Sequence, residues 1–348
     1  MKIYFFVNKG INSATARFRG YLIAIELKKK FKTKIYRVPE VYNRYALTLD
    51  RIKNIIKFFN IIRKINKNDI IYLVKTVYSI DFLIIIIFAK IFLNKKIIFD
   101  FDDAIYLKRF TKISTLILTK ISNIVIVGSN VLHKWAQNKN RNTFKLPTSV
   151  PHKLYSKKNI SKKKNIFTVG WIGNGSNHAK NLKLLKPVFD ELINKNFKFC
   201  FKLVGLTGNK ELLKFFKSIN KLNFIYKNQI EWSKVSSTVS ELKTFDVGVM
   251  PLVKDEKTLG KCSFKIIEYM AAGIPVIASP IGENNVVIKD YKDGFLAKNV
   301  NDWVKKILIL NKNLKLKNEM TKKALNKVKV KYSIESNIKI LNKIFTKI

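Results

Sequence analysis

The feature that most limits the fold is a regular alternation of short strand-like runs with longer helical stretches, carried through almost the whole chain. In the first half, strands are expected at residues 3–7, 35–38, 70–74, 96–101, 124–127 and 143–146. Helices are expected between them at 14–31, 50–65, 80–93, 111–121 and 130–138. Repeated strand and helix of this kind implies parallel strands joined by helical crossovers, with both faces of the sheet covered. That is an α/β, Rossmann-like domain. Residues 147–165 interrupt the pattern with Pro147, Pro151 and a lysine-rich polar run, which places a linker at 148–165. The alternation then restarts, with strands at 167–172, 197–204, 223–226, 247–250 and 275–278 and helices at 180–194, 210–219, 235–243, 263–272 and 300–327. The expected organisation is a first domain over 1–147, the linker, a second domain over 166–330 and a C-terminal segment over 331–348. That segment holds a helix at 334–345 with Ile334, Ile338, Leu341 and Phe345 on one side.

Composition narrows the function. A chain of 348 residues suffices for two cores, and 47% hydrophobic residues excludes general disorder. The net charge of +45 points first to nucleic acid or an anionic membrane. Of the 68 basic residues, however, only eight are arginines. Lysine lacks the planar fork suited to bases and phosphates, so much of this charge reads as a solvated face and no nucleic-acid partner is expected. Cys200 and Cys262 are far apart, and the three histidines have no paired spacing, so neither a zinc site nor a disulfide framework is expected. The opening apolar run is too short for a signal-peptide core, which makes the cytoplasm the expected compartment. The apolar run at 82–93, interrupted by Lys90, falls short of the roughly 20 residues a membrane span needs and reads as a buried helix.

Residues 260–296 carry the densest chemistry. Lys261 and Ser263 lie in a loop that opens a helix, where backbone N–H groups and the helix dipole favour a phosphate. Glu268 is the single carboxylate of that otherwise small and apolar helix, which stops at Gly273. A strand and the loop Pro280-Ile281-Gly282 follow. Helix start, carboxylate and glycine loop together suit a nucleotide diphosphate sugar. A second glycine-rich turn, Gly173-Asn174-Gly175-Ser176-Asn177, follows the strand at 167–172, at the strand end where ligands of doubly wound sheets gather.

The 260–296 segment resembles the donor-site signature of retaining GT-B glycosyltransferases, specifically glycosyltransferase family 4. Glu268 matches the second glutamate of the family's Glu-x7-Glu pattern, which binds the donor ribose, while Gly260 stands where the first glutamate is usual. The resemblance implies a GT-B fold, two Rossmann-like domains facing each other across a cleft, with the C-terminal helix packing back on the first domain. It implies transfer of a sugar from a nucleotide-sugar donor, with retention, to a glycan or lipid-linked acceptor in surface polysaccharide assembly. No cofactor and no metal are expected. Donor contacts would come from Gly173, Asn174, Ser176, Asn177, Lys261, Ser263, Lys265, Glu268 and Gly282. Trp171 takes the place of a family arginine on the diphosphate, with Lys261 and Lys265 as substitutes and Lys180 as a weaker third. The run 245–252 resembles a further family strand, in which Asp246 reads as a cap.

In the first half, Asp100, Asp102 and Asp103 crowd at a strand terminus and must be compensated by cations, hydrogen bonds or function. By the same resemblance Asp102 or Asp103 replaces a histidine facing the donor sugar. The alternatives are that Asp103 caps a turn, or that the acids form a metal-binding DxD motif as in GT-A enzymes. The loop at 8–15 with Gly10, then Arg17 and Arg19, would serve acceptor or phosphate contacts, with at least one arginine on the surface. The helix at 51–63 is basic and amphipathic, suited either to an anionic bilayer at the inner face of the cell membrane or to a core-facing position. A GT-B-fold sugar-nucleotide epimerase and a basic nucleic-acid-binding protein are the competing functions.

Overall fold

The computed structural model describes residues 1–39, 48–156 and 166–348, so the lysine-rich part of the expected linker, 157–165, lies outside the described residues. Two compact units divide the chain. The first comprises Met1–Ser149, Gly260–Cys262 and Ile334–Ile348, and the second Val150–Leu259 and Ser263–Ser333.

In the first unit, β1 (Lys2–Val7), β2 (Lys32–Arg37), β3 (Ile70–Val74), β4 (Lys96–Phe101), β5 (Ile124–Val127) and β6 (Thr143–Lys145) form one sheet in the order β2-β1-β3-β4-β5-β6. Every pairing is parallel. Successive side chains of the central strands enter opposite cores, as the two-residue period of a strand requires. Tyr4, Phe6, Ile71 and Leu73 pack on one face with Phe58 and Phe82. Ile3, Phe5, Val7 and Tyr72 pack on the other with Leu27, Leu341 and Phe345. Both faces are therefore closed by helices, and the last of these is Ile334–Phe345, whose Phe345 meets Phe31 edge-on at 5.8 Å.

The second unit repeats the plan with β7 (Phe167–Ile172), β8 (Phe199–Val204), β9 (Asn223–Lys227), β10 (Val247–Met250), β11 (Val276–Ala278) and β12 (Phe295–Leu296), ordered β12-β11-β10-β7-β8-β9 and parallel throughout. Its core holds Trp171, Phe189, Phe201 and Phe216. At its base, the Val150 amide donates to the Tyr332 carbonyl at 3.0 Å.

Several expected elements are redrawn. The helix expected at 300–327 is two, Val300–Lys312 and Leu314–Lys327, because the Asn313 side chain accepts the Leu316 N–H at 2.9 Å and starts a new helix. The helix expected at 14–31 begins as a π-helical turn, Ala16–Tyr21, and ends at Leu27. The helix Leu49–Arg63 turns its apolar side, including Phe58 and Ile62, into the core, so that side is not offered to a bilayer. The helix Ile80–Ile91 is buried on one side only: Phe82, Leu83, Ile85, Ile86 and Ala89 are inside, and Ile80, Ile84 and Ile91 are exposed.

Candidate active site

In the second unit the helix Phe264–Ala271 follows β10 and precedes β11, so it starts at the carboxyl end of the sheet. Ser263 precedes it in the left-handed region (φ 55°) and gives its helix no side-chain cap. Its hydroxyl instead donates to Asn284 Oδ1 at 2.6 Å, and Asn284 Nδ2 donates to the Ser279 carbonyl at 2.9 Å. Ser263 thus ties the helix start to the loop after β11. Gly282 in that loop has φ +53°, and a Cβ there would stand 2.6 Å from the Leu259 carbonyl oxygen. The close backbone approach requires glycine, and the positive φ favours it.

Lys265 and Glu268, three residues apart, share one side of this helix. The Lys265 ammonium lies 3.3 Å from His178 Nε2 and 5.2 Å from the Trp171 ring centre. A Cβ on Gly173 would come within 2.4 Å of Lys265 Cε, so the bare backbone at the end of β7 is what admits this side chain. Glu268 is buried, and Tyr155 Oη donates to its Oε1 at 2.7 Å. The adjacent Tyr269 accepts the Ile172 N–H at 3.3 Å and donates to the Val249 carbonyl at 3.4 Å, tying the ends of β7 and β10. Burial, then the nearby Glu268 carboxylate, push its phenol well above the usual value. In the turn after β7, the Asn174 side chain accepts the Asn177 N–H at 3.0 Å and caps the helix Gly175–Leu182, while the Ser176 hydroxyl meets that of Thr207 at 2.8 Å.

In the first unit the three acids at the end of β4 have separate partners. Asp100 is fully enclosed: Arg19 Nε donates to it at 2.6 Å and Tyr72 Oη at 2.6 Å. Arg19 Nη1 further donates to the Leu146 carbonyl at 2.9 Å and the Thr148 hydroxyl at 3.1 Å. Burial acts against the Arg19 charge, but Asp100 and Asp102 more than reverse it and hold the guanidinium's pKa above its usual value. Asp102 accepts from Thr15 Oγ1 at 2.9 Å and lies 3.4 Å from Lys75 Nζ. Lys75 also ion-pairs with Asp103. Against burial, Lys75, Lys261 and Lys108 hold the Asp103 carboxyl well below the usual carboxylate range. Lys75 follows β3 with a left-handed backbone (φ 53°) that turns the chain at the strand end beside β4.

Gly260–Cys262 packs in this same unit. A Cβ on Gly260 would lie 2.7 Å from the Ala104 methyl, and the Gly260 carbonyl accepts from Ser129 Oγ at 3.3 Å. The room a glutamate would need is thus filled by Ala104. The Cys262 thiol, beside Thr148 at 3.4 Å, is pushed up to about 12 by burial and by Asp102 and Asp103. Among the described residues no group of three His, Cys, Asp or Glu side chains could hold a metal ion.

Residues 166–313 match the family of Glycosyl transferases group 1. None of the curated proteins matches the chain. Among solved structures, Anabaena Alr3699/HepE, in complex with UDP and glucose, is similar at 13% identity and a TM-score of 0.73, covering 100% of both chains. A glycosyltransferase from Rickettsia africae is similar at 16% identity and a TM-score of 0.72, over 99% of this chain and 98% of the other. Sucrose-phosphate synthase from Thermosynechococcus elongatus is similar at 11% identity and a TM-score of 0.72, over 100% of this chain and 99% of the other. The chain has the GT-B fold of these structures.

The fold brings Lys265 against Gly173 at the end of β7 with Glu268 one turn further along the same helix, and it sets Asp102 and Asp103 just after β4. It does not leave Arg17 or Arg19 on the surface, where at least one was expected; they are 3% and 2% exposed. Arg19 is consumed by Asp100, because a carboxylate at the end of a buried strand needs a cation. Arg17 lies over Phe18 and donates to the Ile11 carbonyl at 3.3 Å. Gly10 accepts the Ser13 N–H at 3.0 Å and shapes that loop. Asp246 accepts the Thr168 N–H at 2.9 Å at the start of β7, and Lys180 is exposed. The contacts of Lys75, Tyr155 and His178 escaped the sequence reading, and Thr15 entered it only as the end of the loop at 8–15. Lys75 had a signal, a lysine directly after a buried strand. Tyr155, in the proline-rich stretch, had none.

Proposed function

We propose that this protein is a retaining, metal-independent glycosyltransferase of the family 4 type. It moves a sugar from a nucleotide-sugar donor to a glycan or lipid-linked acceptor, in surface polysaccharide assembly at the inner face of the cell membrane. The observation that carries the reading is the pairing of Lys265 and Glu268 on one side of the helix Phe264–Ala271, next to the glycine turn after β7. A cation and a carboxylate one turn apart match the two ends of a nucleoside diphosphate. Lys265 would neutralise the departing diphosphate, together with the uncapped first turn of the helix, and Lys261 is a second candidate for that role. Glu268, oriented by Tyr155, would accept the ribose hydroxyls. Asp102 would accept hydrogen bonds from sugar hydroxyls, and Asp103, held ionised by Lys75, would do so rather than take protons.

The test is a thermal-shift screen of the protein against uridine, guanosine and adenosine diphosphate sugars. A true donor stabilises the native state by about 2.7 kcal/mol at a hundred times its Kd. Product analysis with donor alone separates transfer from epimerisation. Failure of every nucleotide sugar to raise the melting temperature would overturn the reading.

A further inference from the structure

The helix Ile80–Ile91 presents an apolar stripe that the core uses only at Ile87, which is half-buried against it. Residues 80, 84, 87 and 91 recur at helical spacing and so share one side, and all four are isoleucines. Ile84 and Ile91 are 60% and 64% exposed. Phe92, directly after the helix, is 71% exposed and packs on Phe88 with ring centres 5.0 Å apart. The neighbouring helix Lys112–Ile121 extends the surface with Ile113, and the segment before it adds Phe110, both 69% exposed. Large apolar side chains exposed together on two neighbouring helices mark an interaction site.

The charge around it says what covers it. On one side the helix Leu49–Arg63, joined to Ile80–Ile91 by the Arg51–Asp81 ion pair at 2.7 Å, exposes Lys53, Lys57 and Arg63. On the other, Lys108, Arg109 and Lys112 are exposed. The only acids in these three helices are Asp50 and Asp81, and Asp81 is engaged by Arg51. An apolar centre with a basic rim is complementary to a bilayer interface, acyl chains below and anionic headgroups around. It is a poor match to nucleic acid, which offers the stripe no apolar phase. Among the described residues no helix is long and apolar enough to cross a membrane, so the contact is one of lying on it.

We infer that this helical layer docks the enzyme on an anionic phospholipid surface, with Ile84, Ile91, Phe92, Phe110 and Ile113 entering the headgroup boundary and the flanking lysines meeting lipid phosphates. The inference deepens the reading of a membrane-side acceptor and rests on it. It moves the contact from the amphipathic face of Leu49–Arg63, which the core has taken, to the neighbouring helix.

The experiment is co-sedimentation of the full chain with phosphatidylglycerol–phosphatidylcholine vesicles and with phosphatidylcholine vesicles. Wild type should bind the anionic vesicles, salt-sensitively, and bind the neutral ones weakly. The double variant Ile84→Glu/Ile91→Glu should lower the partition coefficient by about tenfold or more. Its melting temperature and its stabilisation by a nucleotide sugar should stay unchanged, since both positions face water. Lys53→Glu/Lys57→Glu should weaken binding and flatten the salt dependence. Wild-type levels of vesicle binding by the isoleucine variant would overturn this surface while leaving the membrane-side acceptor standing. No vesicle binding by wild type, with transfer to a soluble acceptor intact, would overturn both. A wild-type dimer that the isoleucine variant dissociates, without loss of vesicle binding, would assign the stripe to a second copy and overturn the proposal.

Discussion

Asp103, just after β4, and Glu268, in the helix between β10 and β11, are held in different ways. Asp103, with a side chain 46% exposed, is neutralised by a lysine ion pair and held ionised. Glu268, buried, receives a hydrogen bond from the neutral phenol of Tyr155. A carboxylate fixed by cations far below the pH of the cell is a poor proton acceptor, so Asp103 is fitted to hold a hydroxyl and not to move a proton. Asp103 is therefore balanced by cations of its own unit, while Glu268 sits one turn from Lys265 on one helix.

The sharpest way to break this contrast is at the innermost balanced pair. Arg19→Met leaves Asp100 enclosed without its cation and should cost about 3–5 kcal/mol in urea unfolding. A loss below about 1 kcal/mol would show that the first unit does not depend on internal compensation. Next in size, Glu268→Ala should reduce kcat/KM for donor turnover by about a hundredfold or more with unchanged circular dichroism. Undiminished transfer would remove Glu268 from the site. Tyr155→Phe should raise the KM for donor about tenfold and leave kcat nearly unchanged, the signature of a positioning residue. An equal fall in kcat would instead give Tyr155 a role in the reaction's transition state.

The smallest effect is expected at the half-buried ion pair of Lys75 and Asp103. Lys75→Met should cost about 1 kcal/mol at neutral pH, since Asp103 is partly in water. The pair is charged on both sides. Asp103 has a lowered folded pKa, so its contribution is present above the unfolded value of about 3.9 and is lost as pH falls through the folded value. Lys75 has a raised one, caused by Asp103 and Asp102 against burial, so its contribution is present below about 10.4 and is lost as pH rises through the folded value. The difference in stability between wild type and Lys75→Met should therefore be flat across neutral pH and shrink in strong acid. A difference that titrates near pH 7 would place another group in the cluster.

Much of the scaffold was legible because strand and helix periods are local. The runs at 70–74, 96–101 and 124–127 are strands at those limits, and the alternation alone implied two parallel sheets. The break at Asn313 was harder to see, since one capping asparagine interrupts an otherwise continuous helical pattern. The site was legible in part. Glu268 and Lys265 stand out by spacing within one helix, but Tyr155, 113 residues from Glu268, has no sequence sign of its role. Arg17 and Arg19 misled for a physical reason: a guanidinium after the first strand can serve a ligand or a buried carboxylate, and only the position of Asp100 beside Arg19 chooses.

The sequence by itself determined the alternation of elements, the two-unit α/β plan and the helix that carries Lys265 and Glu268, because each follows from residue spacing along a few turns or strand steps. The tertiary structure alone decided which charges cancel, that Ala104 fills the room a glutamate would need at Gly260, and which side of Ile80–Ile91 faces water. Those outcomes depend on contacts between residues far apart in the chain, and burial converts the same side chain from a solvated surface charge into a partner that another charge must have.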